Sequence, residues 1–280
     1  MGLRREARET LAQHGLRPQR RFGQNFLCDA GVVRRIVACA GVGRESVVLE
    51  IGPGLGALTD TLAAEVGRLY LVEVDRGLAE RLAERHRDNP RVRLVEGDVL
   101  ALPLETLVAE PEVTVVANLP YNIATPILFR LLALRHRFPR AVLMLQREVA
   151  QRLASRPGSK DWGVLSVLVQ TWAEVAIAFG VSRRSFVPQP KVESAVVDVR
   201  WRAAPRADVG DPERYRALVR AAFGQRRKTL RNALGALAVA RGFDAAALTA
   251  AFASAGVDPG RRAESLDLAD FARLARALGG

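Results

Sequence analysis

The sequence predicts an α/β domain followed by a small all-α domain, and three observations carry that prediction. Apolar runs rich in β-branched residues alternate with helix-patterned stretches between residues 47 and 201. The first run, Val47-Val48-Leu49-Glu50-Ile51, breaks into Gly52-Pro53-Gly54-Leu55-Gly56 and then opens into an Ala- and Leu-rich helix, 57–66. After a linker at 203–212 holding Pro205, Gly210 and Pro212, every stretch reads helical. The expected domains are 1–204 and 205–280. Single-spaced glycines after a buried strand let a ligand approach bare backbone, so a nucleotide-type pocket belongs at the carboxyl end of that strand.

Composition narrows the class. The 280 residues are 49% hydrophobic, enough for a buried core and a second small domain. No apolar run approaches the ~20 residues of a membrane span, and no secretory signal is visible. A cytoplasmic protein without membrane contact is therefore expected. Cys28 and Cys39 are the only cysteines, too few for a disulfide framework, and with three histidines no metal site is expected. The formal net charge is +12, and all but three of the 42 basic residues are arginine. Genomic bias explains arginine over lysine but not the net excess. The excess points to a polyanion, and arginine, which forks onto phosphates and stacks on bases, suits RNA.

Residues 3 to 14 read as a short charged helix. Arg20, Arg21 and Phe22 then open a loop in which cations sit beside an aromatic ring, a pattern that suits RNA contact. Asp29 to Ala40 carries Val32, Val33, Ile36 and Val37 at helical spacing and reads as core. The glycine loop of Gly52, Gly54 and Gly56 lacks the Gly-Lys-Ser/Thr ending of a phosphate-binding loop, and its last spacing is one residue short of a dinucleotide fingerprint. Glu50 in the strand end would repel a pyrophosphate but favour a cation. S-adenosylmethionine carries a sulfonium and an ammonium and no phosphate. The pattern Glu-x-Gly-x-Gly-x-Gly resembles the first motif of S-adenosylmethionine-dependent methyltransferases.

Leu69 to Val74 reads as the second strand. Glu73 and Asp75 lie about 20 residues beyond the glycines, where an acid accepts from ribose hydroxyls; Asp75 is alternatively the cap of the next helix, 76–87. Val92 to Val95 is the third strand and leads to Asp98. Phe22-Gly23-Gln24-Asn25-Phe26-Leu27 ahead of the glycine motif closely resembles the ribosomal RNA adenine dimethyltransferases. The resemblance implies that Asn25 and Leu27 contact the cofactor, that Glu73 rather than Asp75 binds the ribose, and that Asp98 accepts from the adenine amine of the donor.

Val113 to Ala117 reads as the fourth strand and ends in Asn118-Leu119-Pro120-Tyr121. This tetrapeptide resembles that of methyltransferases acting on exocyclic amines of bases, and the chemistry accounts for each type. The adenine amine is a poor nucleophile because its lone pair is delocalised into the ring. Accepting its hydrogens on the Asn118 side-chain carbonyl and the Leu119 backbone carbonyl holds that lone pair toward the methyl group. Pro120 stiffens the turn and adds no donor. Tyr121 offers a face for an extruded base. A helix from about residue 125, a strand at 141–146, further helices at 147–150 and 165–172, and strands at 173–181 and 195–201 complete the domain. Phe186 to Ser194 matches the family loop Phe-x-Pro-x-Pro-x-Val-x-Ser; the resemblance implies that Phe186 stacks on the base opposite Tyr121, and a packing Phe is the alternative. The loop 156–163 is polar and is read as solvated or RNA-touching.

In the tail, Arg226, Arg227, Lys228 and Arg231 form a basic cluster at a helix start, suited to phosphate or simply a solvated face. Together these motifs, in family order along nearly the whole chain, imply a Rossmann-like S-adenosylmethionine-dependent methyltransferase sheet with a small C-terminal all-α domain. The implied activity is dimethylation of two adjacent adenines in a 3'-terminal hairpin of small-subunit (16S) ribosomal RNA during 30S assembly, by a monomer, without a metal. The rivals are a resistance-type enzyme of large-subunit (23S) RNA, a mainly non-catalytic ribosome-assembly factor, and a nicotinamide dehydrogenase, the last disfavoured by glycine spacing and by Glu50.

Overall fold

The run Val48 to Ile51 is buried from end to end because it becomes the middle of a sheet with helices on its faces. The computed structural model describes residues 2–13, 23–225 and 227–279. Arg20, Arg21, Phe22 and Arg226, all expected RNA contacts, lie outside the described residues. The chain forms two compact units: residues up to Ala150 with Glu174–Trp201, and Gln151–Ala173 with Arg202–Gly280.

In the first unit the order is α1 (Leu3–Gln13), β1 (Phe26–Leu27), α2 (Ala30–Ala40), β2 (Val47–Ile51), α3 (Ala57–Glu65), β3 (Arg68–Glu73), α4 (Arg76–Arg85) and β4 (Val92–Glu96). Then come α5 (Leu104–Leu107), β5 (Thr114–Asn118), α6 (Ala124–Ala133), β6 (Arg140–Gln146) and α7 (Arg147–Leu153), and, after α8, β7 (Ala173–Val181), β8 (Phe186–Val187) and β9 (Ser194–Trp201). The seven-stranded sheet runs β4-β3-β2-β5-β6-β9-β7. The pairs β2–β3, β3–β4, β2–β5 and β5–β6 are parallel, and β9 returns antiparallel to β6. The chain moves outward from β2 to β4 and then re-enters beside β2 as β5. The carboxyl ends of β2 and β5 therefore flank a topological switch point, the crevice where open α/β sheets bind ligands. The glycine loop and Asn118 to Tyr121 leave from those two ends.

Local chemistry fixes the frame. Asp29 caps α2, accepting from the amides of Gly31 and Val32 and from the Ser185 hydroxyl at 2.9 Å. Burial pushes its carboxyl up, but those bonds and Arg34 outweigh burial and hold it below the ordinary value. Arg140 donates to the carbonyls of Cys39 and Ala40, both at 2.7 Å, and pairs with Asp198 through two bonds of 2.9 Å, so one guanidinium ties the end of α2 to β6 and β9. Gly67 sits where a Cβ would lie 2.2 Å from the Arg44 carbonyl oxygen, an approach only glycine permits.

The second unit holds α8 (Val164–Trp172), α9 (Pro212–Gly224), α10 (Leu230–Ala240), α11 (Ala245–Ala255) and α12 (Leu268–Ala277). Segment 151–173, which the sequence reading places with the sheet, packs here. Trp162 is fully buried and donates its indole N–H to the Leu266 carbonyl at 2.9 Å; Thr171 and Tyr215 share a 2.8 Å hydrogen bond. Helix α8 is apolar on most of its surface, which announces burial without saying against what. Burial pushes the Tyr215 phenol up to about 12. Arg227, Lys228 and Arg231 are exposed; the first two precede α10 rather than begin it, since Thr229 occupies its N-cap. Among the described residues no single helix is long and apolar enough to cross a membrane.

Candidate active site

A crevice of about 920 Å³, open solvent at its mouth included, lies at the switch point. Its walls bring together Asn25, Leu27, Glu50, Gly52, Gly54, Glu73, Asp98, Asn118, Leu119, Pro120 and Tyr121. Two expected members are elsewhere. Gly56 caps α3 at φ 88°, and a Cβ there would meet Leu82 Cδ2 at 3.0 Å, so this glycine serves helix packing rather than the cavity wall. Phe186 is fully buried, pairs with Leu27 across β8 and β1, and belongs to the apolar core with Val33, Ile36 and Val196. Of the two readings of Phe186, the structure has the packing one; its ring does not line the cavity.

The glycine loop is held from both sides. Gly54, at φ 59°, lies so close under Phe26 that a Cβ would come within 3.1 Å of its ring. Its amide donates to Glu73 Oε2 at 3.0 Å, and the Asp75 amide donates to Oε1 at 2.9 Å. Glu73 therefore staples the loop to the end of β3, and Asp75 caps α4, as its alternative reading had it. Burial is the main reason Glu73 sits above its ordinary value, partly offset by these two amides. Glu50 is 1% exposed. It accepts from the Thr59 hydroxyl at 2.8 Å, and burial, with Asp60 and Glu73 adding repulsion, pushes it up to about 8. Without a cation beside it, Glu50 thus keeps its proton at neutral pH. Asp98 is exposed at the rim and accepts from the Leu100 amide at 2.8 Å.

The acceptor side is oriented across a long sequence gap. Asn118 Nδ2 donates to the Asn25 carbonyl at 3.2 Å, which leaves Oδ1 as the side-chain atom offered to a ligand. The segment 23–29 lies over the cavity and is tied down elsewhere too. Gln24 donates to Asp75 at 3.1 Å, and the Cys28 amide to the Ser185 carbonyl at 2.7 Å. The Tyr121 ring is half-buried at the mouth, and its hydroxyl shares a 3.1 Å hydrogen bond with Ser194. Burial raises the Tyr121 phenol despite that bond, so it is un-ionised at neutral pH. Sequence reasoning missed Gln24, Thr59 and Ser194; only the side-chain types were visible, and their partners are 51, 9 and 73 residues away.

The electrostatics decide the ligand class. Glu50, Glu73 and Asp98 line the cavity, and no Lys, Arg or His is among the described residues that do. In a chain of net charge +12 this is a local reversal of sign. The wall fits a molecule with cationic groups and hydroxyls and offers a phosphate no basic partner.

The model for the family described as ribosomal RNA adenine dimethylase matches residues 15–278. A protein of Syntrophotalea carbinolica named ribosomal RNA small subunit methyltransferase A is 49% identical over 262 residues, covering 94% of this chain and 97% of that one. Among solved structures, a dimethyladenosine transferase from Plasmodium falciparum superposes with TM-score 0.73 over 89% of this chain and 95% of that one, at 24% identity. The 23S rRNA methyltransferase ErmE does so with TM-score 0.68 over 91% and 100%, at 28% identity.

Proposed function

The chain belongs to the ribosomal RNA adenine dimethylase family, and from that premise we propose its substrate and the work of each residue. It is an S-adenosylmethionine-dependent enzyme of ribosomal RNA. The substrate we propose is a pair of adjacent adenines in a 3'-terminal hairpin of small-subunit (16S) RNA, dimethylated at N6 within the subunit or its precursor during 30S assembly. The enzyme acts as a monomer in the cytoplasm. The small-subunit name of the Syntrophotalea carbinolica relative supports this choice.

S-adenosylmethionine, when bound, supplies an electrophilic methyl group on a positively charged sulfur. The chain's own residues do the rest. Glu50 favours the cationic part of the donor, Glu73 accepts from its ribose, and Asp98 accepts from its adenine. Gly52 and Gly54 let it approach backbone, and Asn25 and Leu27 cover it. Asn118 Oδ1 and the Leu119 carbonyl accept the hydrogens of the target amine, which turns the nitrogen lone pair toward the methyl group. Pro120 holds that turn, and Tyr121 stacks on the extruded base. Phe186 acts from behind, packed against the strap that carries Leu27. Arg20, Arg21, Phe22, Arg226, Arg227, Lys228 and Arg231 hold RNA. No side chain here needs to form a covalent intermediate.

The observation that carries the reading is the Asn118 amide, pinned by the Asn25 carbonyl so that its oxygen is the atom left for an amine. The test is incubation with tritiated S-adenosylmethionine and under-methylated ribosomal subunits, followed by nucleoside analysis and mapping. Dimethyladenosine at two neighbouring positions of small-subunit RNA is expected. Label in large-subunit RNA would transfer the reading to the resistance-type activity, which the likeness to ErmE keeps in view. Binding without label would leave an assembly factor.

A further inference from the structure

We propose that Ser194 is a positioning residue for the target base: its hydroxyl tethers the far end of the Tyr121 ring, so that the ring presents one fixed face at the cavity mouth. This inference rests on the adenine-methylation reading and adds a residue to it.

Ser194 opens β9 and stands opposite Gln146 of β6 in the ladder. Just before it, the Glu193 carbonyl accepts from the Arg147 amide at 2.9 Å, and the Glu193 carboxylate accepts from the Arg183 amide at 2.8 Å. The backbone that carries the hydroxyl is therefore fixed from two sides. A serine Oγ is one bond from Cβ, so holding it there removes little rotamer freedom. Its neighbours along β9, Ala195, Val196 and Val197, are all buried, and Ser194 itself is 1% exposed. A polar group in that row needs a partner, and the Ser194 hydroxyl shares its hydrogen bond with the Tyr121 hydroxyl at 3.1 Å. Tyr121 follows Pro120, whose ring fixes the turn before it. The turn sets where the aromatic side chain begins, and Ser194 sets where it ends. A ring held at both ends cannot swing away when the base leaves, which keeps the stacking surface ready before RNA arrives.

The experiment uses the full chain with S-adenosylmethionine and under-methylated small subunits, measuring kcat, the KM for the donor, and thermal unfolding. Ser194→Ala and Tyr121→Phe each remove the same hydrogen bond from opposite sides. Each is expected to lower kcat roughly three- to tenfold, the effect of one lost hydrogen bond, with the donor KM unchanged. The double variant should be no slower than either single one, because only one bond exists to lose. A wild-type kcat in Tyr121→Phe overturns the tether, as do losses that multiply in the double variant or a loss of donor affinity in both singles. If Ser194→Ala fails to fold, Tyr121→Phe decides alone, since it keeps the ring. Tyr121→Ala separates the two levels. Full turnover there defeats the stacking reading itself, whereas lost turnover there with normal Tyr121→Phe defeats only the tether.

Discussion

Replacing Glu50 by Gln should make the ligand-free protein more stable at neutral pH while weakening its hold on the donor. Glu50 is fully buried beside Thr59, with Asp60 and Glu73 nearby, and its pKa rises from 4.5 to about 8. Between those values the unfolded chain releases a proton that the folded chain keeps. The folded state therefore binds more protons, and stability falls as pH rises through that window. The full shift corresponds to about 5 kcal/mol, of which about 3 kcal/mol is already incurred at neutral pH. Glutamine has the same shape, still accepts from Thr59, and has no proton to lose. Its variant should gain up to about 3 kcal/mol near neutral pH, under about 1 kcal/mol near about pH 5, and almost nothing near about pH 4. The assay is urea unfolding of both proteins at stepped pH, together with calorimetric titration of the donor. The wild type should bind S-adenosylmethionine more tightly as pH rises toward 8, with proton release, because the cation favours the ionised acid; the variant should show neither. Parallel stability curves for the two proteins would refute the reasoning, since they would mean that Glu50 is ionised in the empty cavity.

Three other predictions are simpler. Tyr121→Ala should lose turnover about tenfold or more, the loss of a base-stacking face, and keep donor affinity; kinetics with calorimetry on one preparation checks both. Gly67→Ala places a Cβ 2.2 Å from the Arg44 carbonyl oxygen, so the sheet unit should lose stability in denaturant unfolding, by about 2 kcal/mol or more. Arg227→Ala with Lys228→Ala removes two exposed cations. RNA affinity should fall, and the slope of log K against log salt should flatten by about 1.4 to 1.8; an unchanged slope would return the pair to ordinary surface.

The sheet was readable because strand and helix periods differ and because β-branched runs end in glycine or proline. The switch point emerged only with the strand order; from sequence, a pocket was expected after the first strand, and Asn118 to Tyr121 joined it through family resemblance. What sequence could not show were pairings without a period. Strands β1 and β8 have two residues each, too short for alternation, yet they fix Leu27 against Phe186. Phenylalanine is the right type both for stacking on a base and for filling a core, and only burial separates the two. Gly56 has the spacing of a ligand glycine but the neighbours of a packing one. Helix α8 is apolar in a way that fits either unit. The Asn118 amide owes its direction to a carbonyl 93 residues earlier, which no local pattern encodes.

The acid-lined cavity has a consequence for traffic inside a cell. Adenosine triphosphate shares the adenosine half of the methyl donor, and a surface this rich in arginine gathers polyphosphates of every kind. The chamber beneath offers those phosphates no basic group among the described wall residues, and a phosphate, unlike a sulfonium, gives Glu50 no reason to release its proton. A competitor of nearly the right outline finds no counter-charge for its phosphates there. Its signature is a competitive inhibition constant that worsens stepwise from adenosine to its mono-, di- and triphosphate.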